Sequence, residues 1–376
     1  MKKLLTLLAF MLVAACASSQ ESPPPVRLAI IGLVHDHVTG FLPDLLSRRD
    51  VQLVGIVEPN QALAAKIARD FNLEANLFYP SLAALRAKHD VQAVAAFTST
   101  FDHLSVVEMC APLGIHVMME KPLAVSLADA QKMAEAARQG DIQLVVNYET
   151  TWYRSTHGAY DAVHRQRAIG DLRKLVIRDG HSGPAPICSS YFLDWLTDPV
   201  LNGGGALMDF GCYGANLATW LMDGQRPDSV FAVTQQLQPD VYPKVDDEAT
   251  IVLTYPRAQA IIQASWNWPY GRKDMDLYGE TGALRLPDGK SMYLRKGNAA
   301  EIPLPAPAMP LPYADTLSYF GAVVRGEIQV TGLSSIEVNL IVAEILDAAK
   351  ESARTGKRIT LGADSGADIA TPEAAP

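Results

Sequence analysis

Cysteine is scarce: four residues in 376, at positions 16, 110, 188 and 212. They are too few and too scattered for a disulfide framework, and none falls at metal-ligand spacing from another cysteine or a histidine. Basic charge is also short. Lys and Arg number 32 against 41 Asp and Glu, a net charge of -9, which excludes nucleic acid or an anionic membrane surface as the expected partner. The apolar run Leu4–Leu12 is too short to span a bilayer as a mature helix. There is no internal repeat and no long linker. Glycine is missing where a dinucleotide fold most wants it. The turn after the first apolar run reads Gly32-Leu-Val-His-Asp-His37, so only Gly32 fits Gly-x-Gly-x-x-Gly, with Val34 and His37 at the second and third positions.

What is present begins with an address. Lys2-Lys3, the apolar run and Val13-Ala-Ala-Cys16 form a signal whose last four residues resemble the lipobox of bacterial lipoproteins. This implies cleavage before Cys16 and a lipid anchor on its thiol; an ordinary secretory cleavage near Ala17–Ser19 is the alternative. Ala17-Ser18, directly after Cys16, carries no acidic retention signal, so the resemblance implies an exported protein facing the periplasm from the outer membrane rather than from the inner. Residues 16–26, with three consecutive prolines, read as a stiff tether, and residues 363–376 as a disordered tail.

An apolar fraction of 49% over this length predicts two domains. From Arg27 to Tyr148, short apolar runs alternate with amphipathic segments. The runs are 28–32, 52–57, 93–98, 115–119 and 143–147. They lack polar alternation, as parallel strands covered on both faces do. The expected fold is therefore α/β: a doubly wound parallel sheet of Rossmann type over 27–148, with ligands at the carboxyl ends of its strands. Ser126-Leu-Ala-Asp129 offers a capping box, with Gly140 as the stop of that helix. From 149 to 362 the pattern becomes that of an α+β domain with an open, largely antiparallel sheet. Ser334-x-x-Glu337 there predicts a second capped helix, and the last helices could pack back on the first domain.

Two motifs carry the chemistry. Glu120-Lys121-Pro122 ends an apolar strand. Gly203-Gly-Gly-Ala-Leu-Met-Asp-Phe-Gly-Cys-Tyr-Gly-Ala-Asn216 places Asp209 and Tyr213 four residues apart, on one face of a helix. Together they resemble the glucose–fructose oxidoreductase / inositol dehydrogenase family of nicotinamide-dependent enzymes, over nearly the whole mature chain. Tyr213 followed by Asn216 looks like its glucose–fructose oxidoreductase and sugar or dihydrodiol dehydrogenase branch. The resemblance implies that Lys121 lies by the nicotinamide and holds the reacting hydroxyl, that Tyr213 exchanges its proton, and that Asp209 orients the pair or the sugar. A phenol near pKa ~10 needs a cation such as Lys121 to lower it before it can act as a base at neutral pH. Lys121→Ala and Tyr213→Phe are then expected to abolish turnover and shift melting only slightly.

The expected cofactor is NAD. Glu58 ends the second strand, where a carboxylate accepts ribose hydroxyls and repels a 2′-phosphate, which disfavours NADP. Gly32, Val34, His35, Thr98, His103, Glu120 and Lys121 complete the cofactor-binding candidates; Thr98-Ser-Thr-Phe-Asp-His103 matches the family's Thr-Pro-x-x-x-His turn with Ser99 in place of proline. His35 and His37 could chelate as a pair, but no third ligand stands at a recognisable spacing, so no metal site is assigned. They read as phosphate or substrate contacts at a helix N-terminus, or as a structural pair. Arg154, His181 and Trp195 form the substrate shortlist.

The expected activity is oxidation of a hydroxyl on a small-molecule sugar or glycoside. Export with Lys-Lys rather than twin arginine implies secretion unfolded, into a space with little free dinucleotide. A tightly bound, internally recycled cofactor follows. Transient oxidation that permits glycoside cleavage is one alternative, and a cofactor-free sugar-binding lipoprotein is another. A homodimer or homotetramer is implied by family resemblance alone.

Overall fold

The computed structural model describes residues 24–362. The expected signal peptide, Cys16 with its expected lipid anchor, most of the expected tether and the expected tail from 363 lie outside the described residues. Six strands, β1 (Val26–Ile31), β2 (Val51–Val57), β3 (Phe78–Tyr79), β4 (Ala93–Ala96), β5 (His116–Glu120) and β6 (Leu144–Asn147), make an all-parallel sheet in the order β3-β2-β1-β4-β5-β6. Alternate residues feed two cores. Ala29, Ile31, Val94, Ala96, Val117 and Met119 enter one, and Leu28, Ile30, Ala93, Ala95 and Met118 the other. Burial on both faces is why the sequence shows continuous apolar runs. The connecting helices are α1 (Val38–Ser47), α2 (Gln61–Asp70), α3 (Leu82–Arg86), α4 (His103–Cys110) and α5 (Leu127–Gly140). The strand order reverses between β1 and β4, which opens a crevice at their carboxyl ends.

The second sheet has nine strands. They are β7 (Leu172–Gly180), β8 (Ser229–Gln235), β9 (Glu248–Thr254), β10 (Gln259–Ser265), β11 (Arg272–Gly279), β12 (Gly282–Leu286), β13 (Met292–Lys296), β14 (Ile302–Leu304) and β15 (Ile359–Thr360). The order is β14-β13-β12-β11-β7-β10-β9-β8-β15, antiparallel except where β7 meets β10. In β9 and β10 alternate residues are buried, so one face is packed and the other open. Its helices are α6 (Arg154–Tyr160), α7 (Ser190–Leu196), α8 (Ala206–Asp209), α9 (Gly211–Leu221), α10 (Thr316–Val324) and α11 (Ile336–Thr355). Within α10, Leu317, Phe320 and Val323 join the first sheet's core beside Leu42 and Leu45 of α1. Among the described residues no helix is long and apolar enough to cross a membrane.

Local differences from the sequence reading have physical causes. Strands β3, β14 and β15, two or three residues long, carry too few residues for a period to show. The cap of α11 is Ser335, whose Oγ accepts from the Val338 amide, while Ser334 closes the preceding turn with its hydroxyl unpartnered. Ser126 does cap α5, accepting from the Asp129 amide and donating to its carboxylate at 2.9 Å. Gly140 is not the stop. It is the last helical residue, where a Cβ would strike the Ala111 backbone, and Asp141 takes the left-handed turn at φ 49°.

Candidate active site

The carboxyl edge of the first sheet brings the cofactor candidates together. Gly32 leaves β1 at φ +78°, and a Cβ there would lie 2.6 Å from Thr98 Cγ2 and 3.0 Å from the Phe97 carbonyl. Only glycine makes this turn against the end of β4. Glu58, at the end of β2, accepts from the Leu33 amide at 2.9 Å and the Asn60 amide at 2.8 Å. It braces the turn and keeps further lone pairs for a ribose; burial raises its carboxyl above the ordinary range. A groove of about 600 Å³ runs between Gly32, Pro59, Pro80 and Thr98. The residues there fit a dinucleotide by close backbone approach at Gly32 and a carboxylate at the ribose position.

Val34 sits in a loop held from the other domain. Its carbonyl accepts from Trp195 Nε1 at 3.2 Å, and Asp36 accepts from the Ser189 amide and hydroxyl at 2.7 and 2.6 Å. Trp195 therefore clamps the turn instead of facing a sugar, and it leaves the substrate shortlist. Arg154 leaves it too. This residue opens α6 on the surface and lines a groove with Trp152, Asp288 and Ser291 that does not include Lys121.

Glu120 supplies what the two histidines lacked in sequence, since His35, His37 and Glu120 offer ligand atoms within 4.8 Å of one another. Each of the three already has a protein partner, however. His35 Nδ1 accepts from the His37 amide at 3.3 Å, and His37 Nδ1 meets Glu120 at 2.9 Å. Glu120 also accepts from Asn147 Nδ2 at 2.8 Å. His35 is enclosed by Phe97, Phe192 and Trp195, and burial drives its pKa well down, so it is neutral. His103 Nδ1 bonds the Leu123 carbonyl at 3.0 Å and pins the turn that follows Lys121.

The candidate reacting set brings together residues from both parts of the chain. Lys121, at the end of β5, and Asp209, at the end of α8, are both buried, at 6% and 5% exposure. The ammonium donates to Asp209 Oδ1 at 2.5 Å and to its carbonyl at 3.0 Å. Trp266 Nε1 donates to Oδ2 at 2.9 Å. The triple glycine makes this possible: Gly203 turns at φ +80°, and a Cβ on Gly205 would collide with the Asp246 backbone, whose carboxylate holds the Gly205 and Leu207 amides at 2.9 and 2.7 Å. Burial pushes the Asp209 carboxyl up, but Lys121 outweighs it and holds the group below the ordinary range. Lys121, likewise opposed by burial, is held above its own.

Tyr213 departs from expectation. Lys121 Nζ lies over its ring face, 5.0 Å from the centroid, and is already neutralised by Asp209. Burial, with Glu149 and Cys212 adding to it, raises the phenol well above its ordinary pKa. The pair also changes the expectation for Lys121→Ala, because losing the ammonium strands a buried carboxylate. Asn216 faces away from the reaction, donating to the Leu333 carbonyl at 2.9 Å.

Residues the sequence reading missed complete the site. Lys273 on β11 pairs with Glu149 at 2.5 Å and lies 5.1 Å over the Tyr213 ring from its own side chain. Opposite Lys273 on β7 stands Asp179, fully buried with neither oxygen partnered and raised well above the carboxylate range by burial. His181 does reach the site. Its ring packs edge-on to Phe210 at 4.9 Å, and its Nδ1 accepts from the Gly183 amide at 3.0 Å, so Nε2 carries the hydrogen. No spacing rule joins these residues; strand register and a loop do.

A Rossmann sheet whose edge meets a buried lysine, carboxylate and phenol defines an NAD(P)-dependent oxidoreductase. The chain belongs to the GFO/IDH/MocA oxidoreductase family: the family's NAD-binding Rossmann fold matches residues 26–148, and its C-terminal domain matches residues 157–285. It is similar to a dTDP-3,4-didehydro-2,6-dideoxy-alpha-D-glucose 3-reductase from Streptomyces antibioticus, 28% identical over 264 residues, 70% of this chain and 76% of that enzyme. It is also similar to trans-1,2-dihydrobenzene-1,2-diol dehydrogenase from Bos taurus, 25% identical over 342 residues, 89% and 96% of the two chains. In fold it resembles an aldose-aldose oxidoreductase from Caulobacter crescentus solved with glycerol, with TM-score 0.76, 23% identity and 90% and 100% coverage. An inositol dehydrogenase homolog from Azotobacter vinelandii solved with NAD+ superposes with TM-score 0.78 at 18% identity, covering 90% and 98%.

Proposed function

We propose that this protein oxidises a secondary hydroxyl of a sugar or glycoside, using an NAD that it retains and returns to its starting redox state. The observation that supports this most is the buried Lys121–Asp209 pair set against Tyr213 at the carboxyl edge of an NAD-binding sheet. Bound NAD supplies the hydride acceptor. Lys121 donates a hydrogen bond to the reacting oxygen while Asp209 and Trp266 fix its direction. Tyr213 handles the proton. With its phenol raised, it is protonated at neutral pH and holds a proton in place for a carbonyl oxygen being reduced. In the oxidative direction it must first be unloaded, so that rate rises with pH. His181 presents its Nε2 hydrogen to a neighbouring hydroxyl.

Retention is supported by the clamp of α7 on the 32–37 loop through Trp195, Ser189 and Asp36. It agrees with the proposed lipid anchor at Cys16, export to the periplasm and outer-membrane attachment, where dinucleotide is scarce. Two chemistries are redox-neutral, coupled oxidation and reduction of two sugars and transient oxidation that permits glycoside cleavage. The test is to denature purified protein and assay the supernatant. About one NAD per chain supports the proposal, and its absence from protein purified without added cofactor refutes retention.

A further inference from the structure

A second cleft adjoins the reacting residues and is larger than one sugar ring requires. It holds about 740 Å³ and opens beside Phe210, His181 and Lys273, then runs past Arg272 to Tyr270 and the turn Pro287–Gly289. Ligand pockets of roughly 300–1,000 Å³ accommodate drug-sized molecules, so a single pyranose would leave most of this space filled with water. Lys273 and Phe210 also touch the Tyr213 ring, Lys273 at 5.1 Å and Phe210 stacked at 6.1 Å. The cleft therefore borders the reaction centre, with these two side chains shared between them.

Its charges select the ligand. Arg178 donates to Asp274 and Asp276 at 3.1 and 2.8 Å. Arg272 binds Asp274 through two parallel hydrogen bonds of 2.6 and 2.8 Å while its guanidinium lies over the Trp268 ring at 4.7 Å. Lys273 pairs with Glu149, and Arg285 with Glu301. Each cation lining the cleft is thus matched by a carboxylate, and a diphosphate would have to displace one of them. Fixed, mutually neutralised pairs offer donors and acceptors suited to hydroxyl groups. Tyr270, 60% exposed at the rim, offers a flat apolar face of the kind that stacks on a pyranose.

We propose that the substrate is a neutral glycoside of at least two rings. The ring with the reacting hydroxyl lies against Lys121 and Tyr213, and the second ring lies in this cleft against Tyr270 and Arg272. This rests on the sugar-oxidising function proposed above and deepens it. The consequence is a preference for disaccharides over monosaccharides, and no affinity gained from a nucleotide diphosphate.

The test compares glucose with cellobiose, maltose and lactose on the full chain, measuring turnover with NAD and binding by calorimetry, for the natural protein and Tyr270→Ala. At least one disaccharide should exceed glucose in kcat/KM by tenfold or more. Tyr270→Ala should shrink that ratio about fivefold to tenfold, as loss of one stacking contact does, and Tyr270→Phe should restore it. If glucose reacts as well as every disaccharide, or the ratio ignores Tyr270, the cleft proposal is overturned and the oxidoreductase reading stands. If a disaccharide binds through Tyr270 and no sugar is oxidised, the cleft stands and that reading falls. No binding and no turnover with any of them overturns both, and dTDP-glucose binding more tightly than every disaccharide overturns the neutral ligand.

Discussion

Replacing Lys121 with methionine removes an ammonium but keeps most of its buried stem, so packing loss is small and electrostatics dominates. Asp209 then remains 5% exposed, with Trp266 as its surviving side-chain donor. Breaking a buried pair in this way costs about 3–5 kcal/mol. At about 2 °C per kcal/mol for a domain of this size, melting should fall roughly 6–10 °C at pH 8. The pH dependence fixes the cause. In the natural protein Asp209 is held below its ordinary pKa, so its contribution is present above the unfolded carboxylate pKa and is lost as pH falls through the folded value. Without Lys121, burial raises that carboxyl, and the variant instead loses stability as pH rises. The deficit against the natural protein should therefore shrink toward pH 5. Adding Asp209→Asn should recover most of it, giving a coupling energy of about 2 kcal/mol or more. Calorimetry of the four proteins at pH 5 and 8 decides. A deficit under about 1 kcal/mol, or one indifferent to pH, would refute the buried-pair account.

Other variants separate the remaining roles. Tyr213→Phe should lower turnover about a hundredfold to ten-thousandfold with little change in melting; a near-full rate would make the ring a packing element. Asp179→Asn should stabilise the protein at pH 8, because the folded pKa of this unpartnered carboxyl lies above its unfolded value. Its burial therefore costs more as pH rises through that interval, and the gain should fade toward pH 4; equal gain at both pH values would contradict the assignment. Glu58→Ala should narrow a preference for NAD over NADP that titration puts at tenfold or more, about 1.4 kcal/mol. Asp36→Ala should speed release of bound NAD by freeing the loop from Ser189, measured by dilution into a nucleotide trap.

The parallel sheet was legible because burial on both faces left uninterrupted apolar runs, and the meeting of Lys121, Asp209 and Tyr213 because their motifs are local in sequence. The clamp on Val34 was not, since Trp195 meets Val34 across 161 residues of chain and Ser189 meets Asp36 across 153, both by the docking of α7. Lys273 and Asp179 became neighbours through strand register, which no one-dimensional spacing encodes. The Tyr213 error has the same root. The lysine was visible, but not that Asp209 had already claimed its charge, nor that it would face the ring instead of the hydroxyl. Glycines mark the converse case. Gly32 and Gly205 were visible as motif positions, and the structure gives the reason for each as a collision with Thr98 or with the Asp246 backbone.

The most direct test of the central proposal is rapid-mixing absorbance of the purified chain, with its own bound NAD, against a disaccharide it binds. The account predicts a reduced-nicotinamide signal that rises and decays within each turnover. Its rise should be slowed by deuterium at the oxidised carbon, with many turnovers per cofactor and no net accumulation. A signal that grows to one equivalent per chain and stops until NAD is added would contradict it.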